Sequence, residues 1–353
     1  MLKSKKSIWV ISIVVIIALV VTGTLFYIKV QNNAKAQQST KVEEKVNVIR
    51  IGSTAPGHFK FILSQQKKLL DDEFKKDGIK IEYHTFDGGQ SVMTALATGS
   101  LDIAYTGTDP AVRTAASGAD VNLIGISSFD KGGASYIAVK KDSPIKSVKD
   151  LKGKKVAFLT GTMRHATIAK ALKAEGLSLD DIQGVNLAFD ASGPALIRGD
   201  IDAVVESLST FAPLLNTDTI RIILDGSKHP EWSSPSAISA SGNFVRKHPT
   251  LVKRLLKVDL ATSKWADANY EEAIKVFAEG TKQTAEAVKL SYPDKKFYQD
   301  PKITEDAINA FKSEEDFLKE AKLATGSVDY KKWVNSSFVD EVYGEQSKKS
   351  IKK

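Results

Sequence analysis

From Val46 onward, short apolar runs alternate with amphipathic stretches of helical period. VNVIRIGST predicts a strand, His58–Lys76 an amphipathic helix stopped at Asp77-Gly78, and IKIEYHTFD a second strand. A helix over Gly89–Thr98 precedes the strand LDIAYTG. The next helix is predicted from Pro110, with Thr108 or Asp109 as its cap. VNLIGISS and SYIAVKK follow as apolar strands, and the pattern restarts at KKVAFLT. A helix over Met163–Glu175, the strand GVNLAFD, a helix over Gly193–Arg198 and the strands DAVVES and TIRIILDG complete that run. A strand-like SAISASGNFV then leads into predicted helices at His248–Ala268, Tyr270–Glu279 and Ile303–Leu323. The closing GEQSKKSIKK reads as a solvated basic tail. Alternation at these lengths indicates βαβ units around mostly parallel sheets.

One segment has an echo. Phe86-Asp87-Gly88-Gly89, followed by Ala95-Leu96, Gly99 and Leu101-Asp102, recurs as Phe189-Asp190-Ala191-Ser192, Ala195-Leu196, Gly199 and Ile201-Asp202. Each copy reads as strand, polar turn, helix, glycine stop, and a strand opened by aspartate. Two readings stay open: the common grammar of α/β folds, or two similar lobes facing one cleft. Ligands in open α/β sheets bind at the carboxyl ends of the strands. Those ends are polar and small here, at Ser53-Thr54, Asp87–Ser91, Thr106–Pro110, Thr160–His165, Asp190–Gly193 and Glu206–Thr210.

The chain before Val46 follows another pattern. Residues 1–7 carry three lysines and read as a cytoplasmic basic tail, and Ile8–Ile28 is free of charge. That apolar run is about the ~20 residues needed to cross a bilayer. It is expected to be a transmembrane anchor or uncleaved signal, with residues 29–45 as a polar linker. The domain would then face outside a single-pass cell membrane. Ala34-Lys35-Ala36 has the form of a cleavage site, and cleavage near Ala36 would make the protein secreted.

Composition narrows the function. The net charge of +8 comes from lysine, since only seven of the 50 basic residues are arginine, and the lysines alternate with acids along the chain. That reads as a solvated surface without nucleic-acid binding. The absence of cysteine excludes disulfides, thiolate metal sites, a cysteine nucleophile and a lipid-modified cysteine. No nucleophile elbow, zinc-protease or phosphate-loop motif is present, and the five histidines lack metal-ligand spacing. No catalysis, cofactor or metal is expected. His248, before Pro249, is expected at the surface. Anion or zwitterion recognition is better supported. In AFLTGTMRHATIAKAL, Thr160 or Thr162 caps a helix, Gly161 permits close backbone approach, and Arg164 adds charge to the helix N-terminus. TGTDPA repeats the design in the other half. Glu206 is either the partner of a ligand amine or one end of an ordinary salt bridge.

DSPIKSVKDLKGKKVAFLTGT (Asp142–Thr162) and TFDGGQSVMTALATGSLDIAYTGTDPAVRTAASGADVNLIG (Thr85–Gly125) resemble segments of bacterial ABC-transporter solute-binding proteins of the aliphatic sulfonate, taurine and nitrate type. ALIRGDIDAVV and HPTLVKRLLK…SKWADAN extend the resemblance over roughly residues 46–280. It implies a two-lobed α/β fold of the type II periplasmic-binding kind that closes on ligand like a hinge. Lobe 1 is expected at 46–138 plus 240–343, lobe 2 at 139–239, and a basic tail at 344–353. The crossing strands are expected near Ser135–Lys141 and Ser236–Phe244. Carried over by position, the pocket includes Ser53, Thr54, Gly89, Gln90, Thr108, Asp109, Thr162, Arg164 and His165. After GDIDA the sulfonate binders usually continue with tryptophan and Asp-Pro, whereas this chain has VVESLSTFA. Glu206 and Ser207 thus stand where an aromatic wall is expected, which counts against an unfunctionalised alkyl sulfonate. The expected partners are a small organic anion and an ABC permease, with a monomeric binding domain tethered to the membrane. The same fold family includes thiamine-precursor synthases, but their iron site contains cysteine. A ligand sensor or adaptor that does not transport is the alternative.

Overall fold

The computed structural model describes residues 45–129, 135–187, 189–292 and 294–351. Its strands form two five-stranded sheets built to one plan. The first contains β1 (Val48–Thr54), β2 (Lys80–Phe86), β3 (Ile103–Thr106) and β4 (Val121–Ser128), in the order β2-β1-β3-β10-β4. Here β10 (Ser236–Ser241) returns from far along the chain and runs antiparallel between β3 and β4. The second sheet has β5 (Tyr136–Lys140), β6 (Lys155–Phe158), β7 (Gln183–Asn186), β8 (Ala203–Glu206) and β9 (Ile220–Asp225), in the order β7-β6-β8-β5-β9. Its antiparallel member is β5, the strand just before the βαβ run begins.

The echo in the sequence is therefore one of architecture, and its aspartates have a structural purpose. Asp102 accepts from the Arg50 N–H at 2.8 Å while its own N–H bonds the Arg50 carbonyl at 2.9 Å. Asp202 repeats the arrangement on Lys155, at 2.8 Å both ways. Each aspartate thus pins the third strand of its βαβ run against the first, β3 on β1 and β8 on β6, where a one-residue slip would turn every side chain over. Gly99 and Gly199 close the preceding helices with φ of +79° and +84°, in the left-handed region open to glycine.

Helices cover both faces of each sheet, which explains the nearly continuous apolar strands. Against the second sheet, α5 (Met163–Ala174) packs with Ile137, Val139, Phe158 and Val205, while α6 (Phe189–Arg198) and α7 (Leu208–Asn216) cover Ala138, Ala157 and Val204. Against the first sheet lie α1 (Phe59–Gln66), α2 (Leu69–Phe74), α3 (Gly89–Ala97) and α4 (Thr108–Ala116). The single helix expected over His58–Lys76 is broken at Lys68, whose φ of 54° is left-handed, and ends in a 3-10 turn before Gly78. The helix expected from Pro110 starts two residues earlier. Gly107 is its N-cap, so Thr108 and Asp109 are helical rather than capping.

The C-terminal third extends the first half. After α8 (Gly242–Lys247) come α9 (Pro249–Ala268), α10 (Tyr270–Thr281), α11 (Ala285–Leu290), α12 (Glu305–Glu320), α13 (Tyr330–Trp333) and α14 (Ser337–Ile351). Helix α9 packs on α1 and α14, α12 on α4, and α11 on α7 of the second sheet. His248, expected at the surface, is 7% exposed and tilts against Phe244, because α8 and α9 fold the chain back over it. The expected basic tail continues α14 as far as Ile351. Among the described residues no helix is long and apolar enough to cross a membrane, and the expected span Ile8–Ile28 lies outside them.

Because β5 lies wholly in the second sheet and β10 wholly in the first, the chain changes sheets between Ser128 and Tyr136 and between Asp225 and Ser236. The expected crossings at Ser135–Lys141 and Ser236–Phe244 overlap these strands instead of the connections. The strands are held by their own ladders, leaving the connections as the pieces that bridge the halves. Where the connections touch, Gly226 lies against the Ser135 backbone, and a Cβ there would stand 2.0 Å from the Ser135 carbonyl oxygen. Gly226→Ala should therefore cost about 1–3 kcal/mol in urea unfolding. A change under about 0.5 kcal/mol, the usual range for surface positions, would show that the junction yields freely.

Candidate functional site

The carboxyl ends of the first-sheet strands form one edge. Register pairs Ser53 with Tyr105, Thr106 with Ala237 and Ala237 with Ile126, so Thr54 and Thr106 stand at one level and Ser127 lies one residue beyond it, where the pairing of β4 with β10 shifts register. The buried hydroxyl oxygens of all three find no hydrogen-bond partner among the described residues. Such orphans are rare in folded proteins and usually mark water or ligand. Ser53 differs: its hydroxyl accepts from the His58 N–H at 3.0 Å and donates to the Thr54 carbonyl. It shapes the loop that opens α1. Desolvation, aided by the charge of Lys60, lowers the His58 imidazole to about 4, so His58 is neutral near pH 7.

Gly89 begins α3 directly against α4. A Cβ there would lie 2.6 Å from Pro110 Cγ and 3.4 Å from Thr54 Oγ1, so only glycine lets the two helix starts meet at the strand edge. Gln90 donates to Thr114 Oγ1 at 3.3 Å and lines a separate cavity of about 420 Å³ with Arg113 and Leu323. The Thr108 hydroxyl donates to the Pro235 carbonyl, tying α4 to the returning connection. Asp109 is 1% exposed and faces Glu314 of α12. Burial, then the proximity of Glu314, pushes its carboxyl well above the ordinary range.

The second half presents a different surface. Thr162 is the N-cap of α5 by backbone geometry, but its hydroxyl donates to the Leu159 carbonyl at 2.6 Å rather than to the helix. Arg164, two positions into the helix, places Nε 2.6 Å from Glu206 Oε2. Glu206 is 1% exposed at the end of β8; burial raises its carboxyl and Arg164 opposes the shift. Glu206 is thus one end of a salt bridge to Arg164. Ser207 caps α7, accepting from the Thr210 N–H. His165 stacks on Phe158 at 5.0 Å between ring centres and meets Phe317 of α12 edge-on at 5.2 Å. Its Nδ1 accepts from the Gly161 N–H, and burial lowers the imidazole, which makes it an uncharged aromatic wall.

The predicted residues thus form two groups, one on each half, and besides the contact of His165 with Phe317 the halves approach through residues the sequence did not single out. Arg113 Nη1 lies 3.2 Å from where a Gly161 Cβ would be, and Lys170 of α5 reaches Glu314 at 3.4 Å. A cavity of about 780 Å³ runs between α5 and α12, past His165, Lys170, Leu179 and Phe317. None of Arg113, Lys170 and Glu314 carries a local motif, and each lies inside an amphipathic helix where a polar residue looks ordinary.

Two sheets of identical strand order, each with one antiparallel strand, define a two-sheet α/β fold of the periplasmic-binding-protein kind. The model of the family described as "NMT1/THI5 like" matches residues 56–273, more than half of the chain, and the protein belongs to that family. It is similar to a putative aliphatic sulfonates-binding protein of Bacillus subtilis, 28% identical over 315 residues, covering 86% of this chain and 90% of that one. It also resembles the taurine-binding periplasmic protein of Escherichia coli, 29% identical over 192 residues, covering 53% of this chain and 58% of that protein. Among solved structures, the periplasmic aliphatic sulphonate binding protein SsuA of Escherichia coli superposes with a TM-score of 0.73 at 26% identity, over 82% of this chain and 92% of that one. The fold alone is also shared with the desulfurization enzyme DSZB, which superposes with a TM-score of 0.69 at 18% identity, over 85% of this chain and 99% of that one.

Proposed function

We propose that this chain is the extracytoplasmic solute-binding component of an ABC importer, taking a small sulfonate-like or zwitterionic anion between its two halves. The observation that carries this reading is the row of buried, unpartnered hydroxyls of Thr54, Thr106 and Ser127 beside the meeting starts of α3 and α4. An unsatisfied buried polar group costs about 1–3 kcal/mol. A row of them at the carboxyl edge of a sheet is where a ligand's oxygens would recover that cost. Arg164 at the start of α5 supplies positive charge from the other side. The relatives named for sulfonate and taurine binding support the ligand class. Ligand closes the halves, and the closed form docks on the permease without chemistry. The binding domain acts as a monomer held outside the cell membrane by Ile8–Ile28.

A thermal-shift screen of the full-length protein in detergent tests this reading, with taurine, alkanesulfonates, nitrate, thiamine precursors and amino acids. Ligand at 100 times its dissociation constant adds about 2.7 kcal/mol, so a millimolar sulfonate or zwitterion should raise Tm clearly. If no compound in the set raises it, the anion-site reading is wrong.

A further inference from the structure

Asp109 and Glu314 lie 205 residues apart in sequence and are 1% and 0% exposed. Asp109 occupies the first turn of α4, and α12 packs its carboxylate-bearing face against that helix. Neither carboxyl oxygen of Asp109, nor Oε1 of Glu314, has a hydrogen-bond donor among the described residues. Two buried carboxyl groups side by side cannot both be ionised. One proton held between them supplies a donor where none is otherwise present, joining an oxygen of Asp109 to Oε1 of Glu314. The remaining oxygen, Glu314 Oε2, is turned toward the Ser234 hydroxyl at 3.2 Å and the Lys170 ammonium at 3.4 Å.

Those last two groups give the pair its reach. Lys170 belongs to α5 of the second sheet, and Ser234 to the connection by which the chain returns to the first. We propose that Asp109 and Glu314 form a proton-holding latch, so that the seating of α5 against α4 and α12 loosens as pH rises.

The charged and titratable groups around the latch are few. Arg113 on α4 and Lys170 on α5 both act against the proton on Asp109. His165 on α5 has its imidazole lowered by burial, against which the charge of Glu314 acts. Glu231, in the returning connection, feels the charge of Lys170. Helix α3 faces α4 with the uncharged Gln90. The direction follows from burial, the largest influence on Asp109, which holds its carboxyl above the ordinary range while α5 sits against α12 through Lys170 and Glu314. A group whose closed-state pKa is raised favours closure fully at low pH, and this contribution disappears as pH climbs through the raised value. Parting the halves lets water reach the pair and so removes the burial that is the largest influence on Asp109, which outweighs the withdrawal of Lys170, and the open form releases the proton.

The test needs no ligand, so its outcome is independent of the solute-binding reading. The cysteine-free sequence accepts spin labels at Lys76→Cys on the first-sheet side and Lys149→Cys on the second, both exposed positions. Inter-label distances in the full-length protein are measured by double electron–electron resonance from about pH 5 to about pH 9, a range spanning ordinary and raised carboxyl values. The distance should lengthen and broaden as pH rises. Asp109→Asn, which keeps the shape and needs no shared proton, should hold the short distance throughout. Glu314→Gln should flatten the profile too, and serves if the Asn variant folds poorly. Glu315→Gln, altering a neighbour that accepts instead from Val328 and Lys319, should leave the response as in the wild type. Constant distances in the wild type, or an unchanged pH response in Asp109→Asn, would overturn the latch.

Discussion

Lys60→Met should lower the free energy of unfolding by about 3–5 kcal/mol, the range for removing one partner of a buried ion pair. Lys60 is fully buried on α1, where its ammonium donates to the Ile126 carbonyl at 3.1 Å and the Gln299 carbonyl at 2.8 Å and forms an ion pair with Asp259 Oδ2 at 2.5 Å. Asp259 in turn accepts from the Tyr105 hydroxyl at 2.9 Å. One lysine therefore fastens α1 to the end of β4, to α9, to the segment before α12 and, through Asp259, to β3. Methionine fills much of the same space but leaves Asp259, 2% exposed, facing Tyr105 without a countercharge. Burial already raises the Asp259 carboxyl, and the charge of Lys60 is the largest influence holding it down. Without that charge the carboxyl takes up a proton at higher pH, so the variant's deficit should shrink as the solution is acidified. Urea unfolding of both proteins at neutral and mildly acidic pH measures this. Lys60→Met with Asp259→Leu should recover part of the loss, because a buried pair is often replaceable by apolar packing. A deficit under about 1 kcal/mol for Lys60→Met alone would mean that water reaches Asp259.

The same network shows what the sequence carried and what it did not. The two sheets were legible because strands buried on both faces, such as YIAVK and KVAF, leave continuous apolar runs, and because Asp102 and Asp202 repeat one register device. Glycines at Gly99 and Gly199 mark the helix ends because the backbone requires left-handed geometry there. Lys60 was invisible by contrast: in FKFILSQQ it looks like a solvent-facing lysine, and its partner is 199 residues away. The helix starts around the site were readable from TGTDPA and TGTMRH, although the capping residue was misjudged at Gly107. Which residues of the C-terminal third reach the site was not readable. Glu314 comes from the C-terminal third, and nothing in EDAINAFKSEEDFLKE separates it from its acidic neighbours except the face it turns to α4.

Arg164→Met should weaken binding of the best sulfonate found in the thermal-shift screen by about 10–100-fold. Hydrogen bonds to charged groups are worth about 1.5–3 kcal/mol, and each 1.4 kcal/mol is about tenfold in affinity. Two effects act in the same direction. The variant removes a full positive charge from the start of α5, where the helix dipole already favours an anion. It also strips Glu206, 1% exposed, of the guanidinium 2.6 Å away, leaving a buried acid where the ligand's anion must sit. Glu206→Gln separates these effects, because it keeps the charge of Arg164 and removes the acid. If Arg164 recognises the anion, Glu206→Gln should bind a simple sulfonate at least as tightly as the wild type. An amine-bearing sulfonate should lose affinity in that variant if Glu206 also attracts the ammonium. The burial-raised Glu206 carboxyl adds a pH signature: its contribution to stability is complete at low pH and falls away as pH rises through the raised value. Glu206→Gln should therefore unfold with a flatter pH profile than the wild type. Isothermal titration of both variants decides the matter. An Arg164→Met protein that binds within about twofold of the wild type, a difference of about 0.4 kcal/mol, would place the anion on the first half alone, against the hydroxyls of Thr54, Thr106 and Ser127.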